Sequence, residues 1–156
     1  MITIADYVID FLAKKKIKHI FTVSGGGSIF LCDSLKRSNS VKYISCHHEQ
    51  AVSFAAESYA RETNEIGGAI VTTGPGGTNA ITGVASCWID SIPTIFISGQ
   101  VYLNQTIGKS KIRQKGVQET NIIELIKPIT KYAGMIKNKN EIKYHLDRAY
   151  YETTKG

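Results

Sequence analysis

Glu49 stands directly after Cys46-His47-His48, where the strand-like run from Val41 to Ser45 gives way to a helix-patterned segment over residues 49–62. In the first turn of a helix the dipole favours a charged carboxylate, while burial against the alanines that follow favours the neutral form. A carboxyl balanced in this way can hold or share a proton near neutral pH. The same position also suits a capping carboxylate with no chemistry. A second constellation is Thr73-Gly74-Pro75-Gly76-Gly77-Thr78-Asn79. It has the glycine content of a phosphate-cradling loop but lacks the Lys-Ser/Thr pair of a P-loop, and Pro75 and Asn79 break the dinucleotide pattern. A turn that shows backbone carbonyls and an Asn amide to a flat ring fits equally well, and so does a plain tight βα turn. Cys46-His47-His48-Glu49 has metal-ligand chemistry, yet adjacent strand residues point to opposite faces and chelate one ion poorly. We therefore assign no metal ligands. Ser24 opens the glycine-rich loop Ser24-Gly25-Gly26-Gly27 but lies outside any G-x-S-x-G nucleophile elbow.

The elements that must position these residues follow from periodicity. Thr3 is placed to cap a first helix with Ile4, Tyr7, Val8, Phe11 and Leu12 on one face. His19–Val23 reads as a strand ending in the Gly25–Gly27 loop, and Ser28 opens a second helix through about Lys36. Val41–Ser45 is a second strand. The helix over 49–62 carries Ala51, Ser53, Ala55, Ala56 and Ala60, small side chains on several faces that let other backbones approach closely. Gly67-Gly68 is expected to stop it. Ala69–Thr72 is a third strand, apolar enough to be buried on both faces. A helix runs from Ala80 to about Asp90, and Pro93–Ser98 is a fourth strand. Residues 100–116 form a long loop of the kind that is often functional. Thr120 caps a short helix carrying Ile122, Ile123, Leu125 and Ile126, Lys131–Ile136 is a candidate fifth strand, and Asn140 caps a last helix carrying Ile142, Leu146, Ala149 and Tyr150.

Strands alternating with helices predict a three-layer α/β/α fold with a mainly parallel sheet. Ligands of such sheets bind at the carboxyl ends of the strands. All four of those ends carry the unusual residues: the Gly25–Gly27 loop, His47-His48-Glu49, Thr73–Asn79 and the Gly99 loop. A final helix with no strand after it suggests a domain over residues 1–156 that stops before its last strand, or a subunit completed by another chain.

Composition excludes several classes. A chain 42% hydrophobic and 21% charged has the makings of a globular core and is not a disordered segment. No apolar run approaches the ~20 residues that cross a bilayer, so no membrane partner is expected. Asp6 and Asp10 stand where a signal peptide needs positive charge. Cys32, Cys46 and Cys87 form no CxxC pair and read as free thiols of a reducing, cytoplasmic chain. The net charge of +6 falls wholly in residues 101–156. Those cations are spread singly and no nucleic-acid module accompanies them, so no nucleic-acid partner is expected.

Taken together, His48-Glu49-Gln50 before the Ala-rich helix, Val71-Thr72-Thr73-Gly74-Pro75-Gly76-Gly77-Thr78-Asn79, and Ile97-Ser98-Gly99-Gln100-Val101 closely resemble the pyrimidine-binding domain of thiamine diphosphate enzymes, nearest the acetolactate synthase-like group. The resemblance spans almost the whole chain, including the Gly25-Gly26 loop and Gly116-Val117-Gln118-Glu119. It implies that Glu49 hydrogen-bonds N1′ of the cofactor's aminopyrimidine and favours the 4′-imino tautomer, whose nitrogen takes the C2 proton of the thiazolium; the ylide then attacks a 2-keto acid. It further implies that Thr73, Gly74, Pro75, Gly76 and Asn79 pack on the pyrimidine, that Gly25 and Gly26 line the same pocket, and that Gln118 and His48 lie on the substrate side.

The implied cofactor is thiamine diphosphate, with Mg2+ held by a diphosphate-binding domain bearing a Gly-Asp-Gly…Asn-Asn signature. No such run exists here, so that partner domain must come from elsewhere, normally a second chain of a homodimer or homotetramer, with the 49–62 helix at the interface. FAD is compatible with the group, but no residue here supports it. The implied activity is decarboxylation of a 2-keto acid with or without carboligation. Two other readings are a small subunit of a two-subunit 2-keto acid decarboxylase and a non-catalytic regulatory or binding domain. Two features depart from the group: His47 stands where acetolactate synthases often show Arg, and Lys111, Arg113 and Lys115 make the loop before Gln118 unusually basic.

Overall fold

The computed structural model describes residues 2–155. Helix α1 (Ile4–Lys14) begins with a capping box: Asp6 N–H donates to Thr3 Oγ1 and Thr3 N–H donates to Asp6 Oδ2, each at 3.0 Å. Two orphan donors of the first turn are thereby satisfied. Ala5, Val8, Ile9, Phe11 and Leu12 are buried, whereas Ile4, at the edge of that arc in the first turn, is exposed. Asp6 also accepts from Ser34 Oγ at 2.8 Å and from Arg37 Nη2 at 2.6 Å, joining α1 to helix α2 (Ile29–Arg37). The Thr3 backbone N–H, then the Ser34 and Thr3 hydroxyls and Arg37, hold the Asp6 carboxyl well below the usual carboxylate range.

Four parallel strands, β1 (His19–Thr22), β2 (Lys42–Ser45), β3 (Gly67–Val71) and β4 (Thr94–Ser98), lie in the order β2-β1-β3-β4. Alternation along β1, β3 and β4 sends side chains to two cores, whereas β2 is exposed along its length. One unites Ile20, Ile70 and Ile95 with Val8, Ile9 and Leu12 of α1, Leu35 of α2 and Leu146 of helix α7 (Ile142–Thr154). The other unites Phe21, Ala69 and Val71 with Val52 and Ala56 of helix α3 (Glu49–Thr63) and Ala80. Helices therefore cover both faces, giving the three-layer α/β/α architecture, and β3 is buried along its whole length.

Helix α3 ends at Asn64, which takes a left-handed conformation (φ 56°), as Asn tolerates. Gly67 and Gly68 are thus the opening of β3 rather than a helix stop. A Cβ on Gly67 would stand 2.1 Å from the Ala56 carbonyl oxygen, so α3 lies almost on the strand backbone. A Cβ on Gly83 of helix α5 (Ile81–Ile89) would stand 2.2 Å from Ser53 Oγ. The small residues of α3 do admit close backbones, within the same chain. Glu57 reinforces this contact, accepting from Arg61 Nη2 at 2.7 Å and from Ser86 Oγ at 3.0 Å.

Other boundaries shift. The Pro75–Asn79 stretch is itself a turn of helix, α4. Ser28 ends a 3-10 turn and stands at the N-cap of α2 without a side-chain capping bond, the short helix α6 (Ile122–Ile126) starts after Asn121 rather than Thr120, and Asn138 rather than Asn140 accepts a capping bond before α7. Lys131–Ile136 is not a strand. Tyr132 in that segment instead reaches α7, its hydroxyl 2.6 Å from His145 Nδ1. Among the described residues no helix is long and apolar enough to cross a membrane.

Gly83→Ala should destabilise the domain by about 1–3 kcal/mol through overpacking, and Ser53→Gly in the same chain should recover part of that loss; thermal unfolding of the two variants against the parent checks it. For Asp6 the folded carboxyl titrates below its unfolded value of about 3.9. Its contribution is therefore complete above that pH and is lost as pH falls through and below it. Asp6→Asn should lower the melting temperature at pH 7 and narrow the gap to the parent as pH drops from 5 to 3.

Candidate functional site

In the order β2-β1-β3-β4, successive connections leave β1 and β3 in opposite directions, so a crevice opens between their carboxyl ends. The loops there are stacked closely. Gly27 N–H donates to Thr72 Oγ1 at 3.0 Å. A Cβ on Gly25 would stand 2.6 Å from the Thr72 side chain, and one on Gly99 would stand 2.2 Å from the Gly27 carbonyl oxygen. The loops after β1, β3 and β4 therefore form one packed floor. Gly26 alone of this loop faces open space, with no atom within 4 Å of where a Cβ would be.

Glu49 sits beside this floor as the first residue of α3. His48 Nδ1 accepts from Gln50 N–H at 3.1 Å, so its imidazole caps the helix and fixes where Glu49 begins. The Glu49 carboxylate is half-buried. Its Oε2 accepts from Asn79 Nδ2 at 2.9 Å, and Asn79 is the last residue of α4. Its Oε1 lies 3.4 Å from where a Gly76 Cβ would be and has no hydrogen-bond partner among the described residues. The close neighbours of the carboxylate are thus an amide and a glycine, not the alanines expected from the sequence; Ala51 points outward. One oxygen is positioned and the other is free, at a helix end that favours negative charge. Such a group can accept a hydrogen bond from the N–H of a flat ring, which the missing Cβ of Gly76 leaves room to approach.

Gly74 holds φ +60°, and a Cβ there would stand 2.1 Å from the Gln118 carbonyl oxygen. Gln118, itself left-handed at φ 58°, is thereby brought onto the α4 turn from a distant part of the chain. Pro75 occupies the first turn of α4, where its missing N–H costs nothing. The Thr73 hydroxyl donates to Gln100 Oε1 at 2.9 Å, so it is engaged beneath the loop. The structure brings Glu49, Gly76 and Asn79 into one contact group and Gly74 and Gln118 into another, with Gly25 joined to Thr72; His48 acts as a cap.

Sequence reasoning assigned no role to Gln100 or Glu119. Gln100 Oε1 accepts from Thr73 and from Val101 N–H at 2.9 Å, and its Nε2 donates to the Thr120 carbonyl at 3.1 Å. Glu119 accepts from the N–H groups of Ile107, Lys115 and Gly116. Burial pushes its carboxyl up, but those backbone donors and Lys115 outweigh that and bring it below its ordinary value. The available signal was position: Gln100 is a polar side chain one residue beyond a strand's carboxyl end.

A family model described as "Thiamine pyrophosphate enzyme, N-terminal TPP binding domain" matches residues 2–125. The chain belongs to that family. The matched range contains every residue of the site just described. The acetolactate synthase large subunit of Buchnera aphidicola subsp. Schizaphis graminum is 39% identical over 152 residues, 97% of this chain and 26% of that protein. The isozyme 3 large subunit of Escherichia coli K12 is 33% identical over 156 residues, 100% of this chain and 26% of that protein. The chloroplastic acetolactate synthase of Arabidopsis thaliana is 34% identical over 152 residues, 97% of this chain and 22% of that protein. The chain thus spans about a quarter of the length of the curated relatives it matches. It is an acetolactate synthase-like thiamine-diphosphate-binding domain.

Gln100→Leu should strand the Thr73 hydroxyl and the Thr120 carbonyl, at a cost of about 1–3 kcal/mol for each group left unsatisfied. The expected result is a lowered melting temperature and faster trypsin cleavage within residues 101–119, read by mass spectrometry.

Proposed function

We propose that this domain holds the aminopyrimidine half of thiamine diphosphate against Glu49, within a whole enzyme that decarboxylates a 2-keto acid with or without joining the product to a second carbonyl compound. The observation that supports it most is the Glu49 carboxylate, fixed on one oxygen by Asn79 at 2.9 Å and open on the other beside Gly76. When bound, the cofactor supplies the carbanion chemistry, and the protein supplies orientation and proton control. In this reading Glu49 Oε1 accepts from the ring N–H and holds or returns that proton, Asn79 keeps the carboxylate from rotating away, and Gly76 with Gly74 and Pro75 forms the face on which the ring lies. Thr73 supports that face from beneath. Gly25 and Gly26 border the same space, and Gln118 and His48 stand on its substrate side. The magnesium and the diphosphate belong to a separate diphosphate-binding domain, from a second chain of a homodimer or homotetramer.

The exposed side of α3, with Ala51 and Phe54, and the neighbouring Trp88 and Ile89 of α5 offer an apolar face to that partner. The free thiols of Cys32, Cys46 and Cys87 suit a cytoplasmic enzyme.

In the full-length protein with thiamine diphosphate and Mg2+, Glu49→Gln should slow exchange of the cofactor's C2 proton for deuterium by about 10²–10⁴-fold, the usual worth of a positioned acid–base group. Asn79→Ala should slow it by a smaller factor. Proton NMR at saturating cofactor reads both rates, and an unchanged rate in Glu49→Gln would sink the proposal.

A further inference from the structure

Residues 91–118 contain Lys109, Lys111, Arg113 and Lys115 and no aspartate or glutamate. The structure gathers the end of this run into an open groove of about 350 Å³ lined by Arg113, Gln114, Lys115, Gly116 and Val117. The groove has a fixed frame. Glu119 grips the N–H of Ile107 at 2.7 Å on one side and those of Lys115 and Gly116 at 3.2 and 3.4 Å on the other. Lys115 Nζ donates to the Asn104 carbonyl at 2.6 Å, and Gln114 Nε2 donates to the Gly116 carbonyl at 2.8 Å. Two residues beyond Gly116, Gln118 lies against Gly74 in the candidate site.

The cations of the molecule are of two kinds, those that stand by a carboxylate and those that do not. Lys18, Arg37, Arg61, Lys143 and Arg148 each stand within 4.0 Å of a carboxylate. Among the described residues Lys109, Lys111 and Arg113 have no such partner, and all three are exposed. Lys14, Lys36, Lys42, Lys137 and Lys139 likewise have none among the described residues; what sets the loop apart is its position, because Gln118 at its end lies against Gly74 of the candidate site. A cleft lined by one sign of charge concentrates ligands of the other.

We propose that this loop recognises a second anionic group, a phosphate or a carboxylate, carried by the small carbonyl substrate remote from its reacting carbon. The inference rests on the reading of Glu49 given above and assigns the substrate class for that same site. Arg113 lies five residues from Gln118, a span of at most about 18 Å when fully extended, and the bonds from Lys115 and Gly116 N–H to Glu119 fold that span back. Its guanidinium fork suits two oxygens of a phosphate or carboxylate, with Lys109 and Lys111 as mobile point charges. Exposed charges act within about 8 Å at physiological ionic strength, so the preference weakens as salt rises.

The test uses the full-length holoenzyme and compares kcat/KM for pyruvate, 2-ketoglutarate and 3-phosphohydroxypyruvate, the last two carrying a second carboxylate and a phosphate. At least one anionic substrate should exceed pyruvate tenfold or more. The triple substitution Lys109→Gln, Lys111→Gln, Arg113→Gln should collapse that ratio at least tenfold, chiefly through KM. The charge-matched control Lys36→Gln, Lys137→Gln, Lys139→Gln should leave the ratio within twofold of the parent. Pyruvate preferred by the parent, or a ratio the triple substitution does not move, overturns the inference while intact C2-proton exchange leaves the Glu49 reading standing. Absence of both exchange and turnover in the parent overturns both. A salt-sensitive affinity for a DNA oligomer that the triple variant loses, with the substrate ratio unmoved, assigns the loop to nucleic acid and likewise overturns it.

Discussion

The 2.9 Å hydrogen bond from Asn79 to Glu49 joins two crossovers of the sheet, one following β2 and the other following β3. A carboxylate on the first turn of an isolated helix would sample several rotamers in water. Here the amide fixes one oxygen, and the remaining oxygen keeps a defined outlook. For that bond to form, α4 must approach the start of α3 closely. Gly76 permits it, because a Cβ there would already stand 2.5 Å from a Thr72 methyl group and 3.4 Å from the carboxylate. The chemistry assigned to this domain is thus a consequence of backbone proximity before it is one of acidity.

The layers exist to hold that proximity. Val52 and Ala56 are fully buried against the sheet, and Ser53 against Gly83, so α3 cannot slide along its axis without opening voids. The Glu57–Arg61–Ser86 cluster secures the far end of the same helix contact. On the opposite face, the Asp6 cap and its bonds to Ser34 and Arg37 tie α1 to α2 and keep the β1–β2 crossover in place. The site lies at the carboxyl end of the sheet, where the core residues Val71 and Ala80 flank the Thr73–Asn79 loop and hold it in place.

Much of this was readable from the residues. The alternation of apolar runs fixed the order of elements, and the small residues of α3 announced close packing, because hydrophobic period and side-chain volume are local properties. Where the reading failed, a non-local contact decided. Gly67 and Gly68 look like a helix stop until the Ala56 carbonyl is seen to need the missing Cβ of Gly67, and the Ile20 side chain that of Gly68. Lys131–Ile136 has strand-like composition, but Tyr132 is drawn to His145 on α7. Gln100 resembles any loop glutamine; only the folded chain shows it bridging Thr73 and Thr120, 20 residues apart from it in one direction and 27 in the other. Glu49 stood out as a candidate by its place at a strand–helix junction, where a plain capping carboxylate fitted equally, whereas its amide partner required the sheet order.

A division of labour follows from where rigidity ends. The Glu49–Asn79 pair and the glycine floor are held by buried helices, so the geometry of that pair depends little on the surface around it. The stretch between Gln100 and Glu119 has no such core beneath it: its shape is set by two side chains that collect backbone N–H and C=O groups, leaving the lysines and arginine of its tip exposed. A loop framed at its ends and unconstrained at its tip can change charge without disturbing the floor. On the proposal made above, a change of charge in this segment alone alters what the site accepts while the fold is kept, in line with the general rule that function lives in sites grafted on folds.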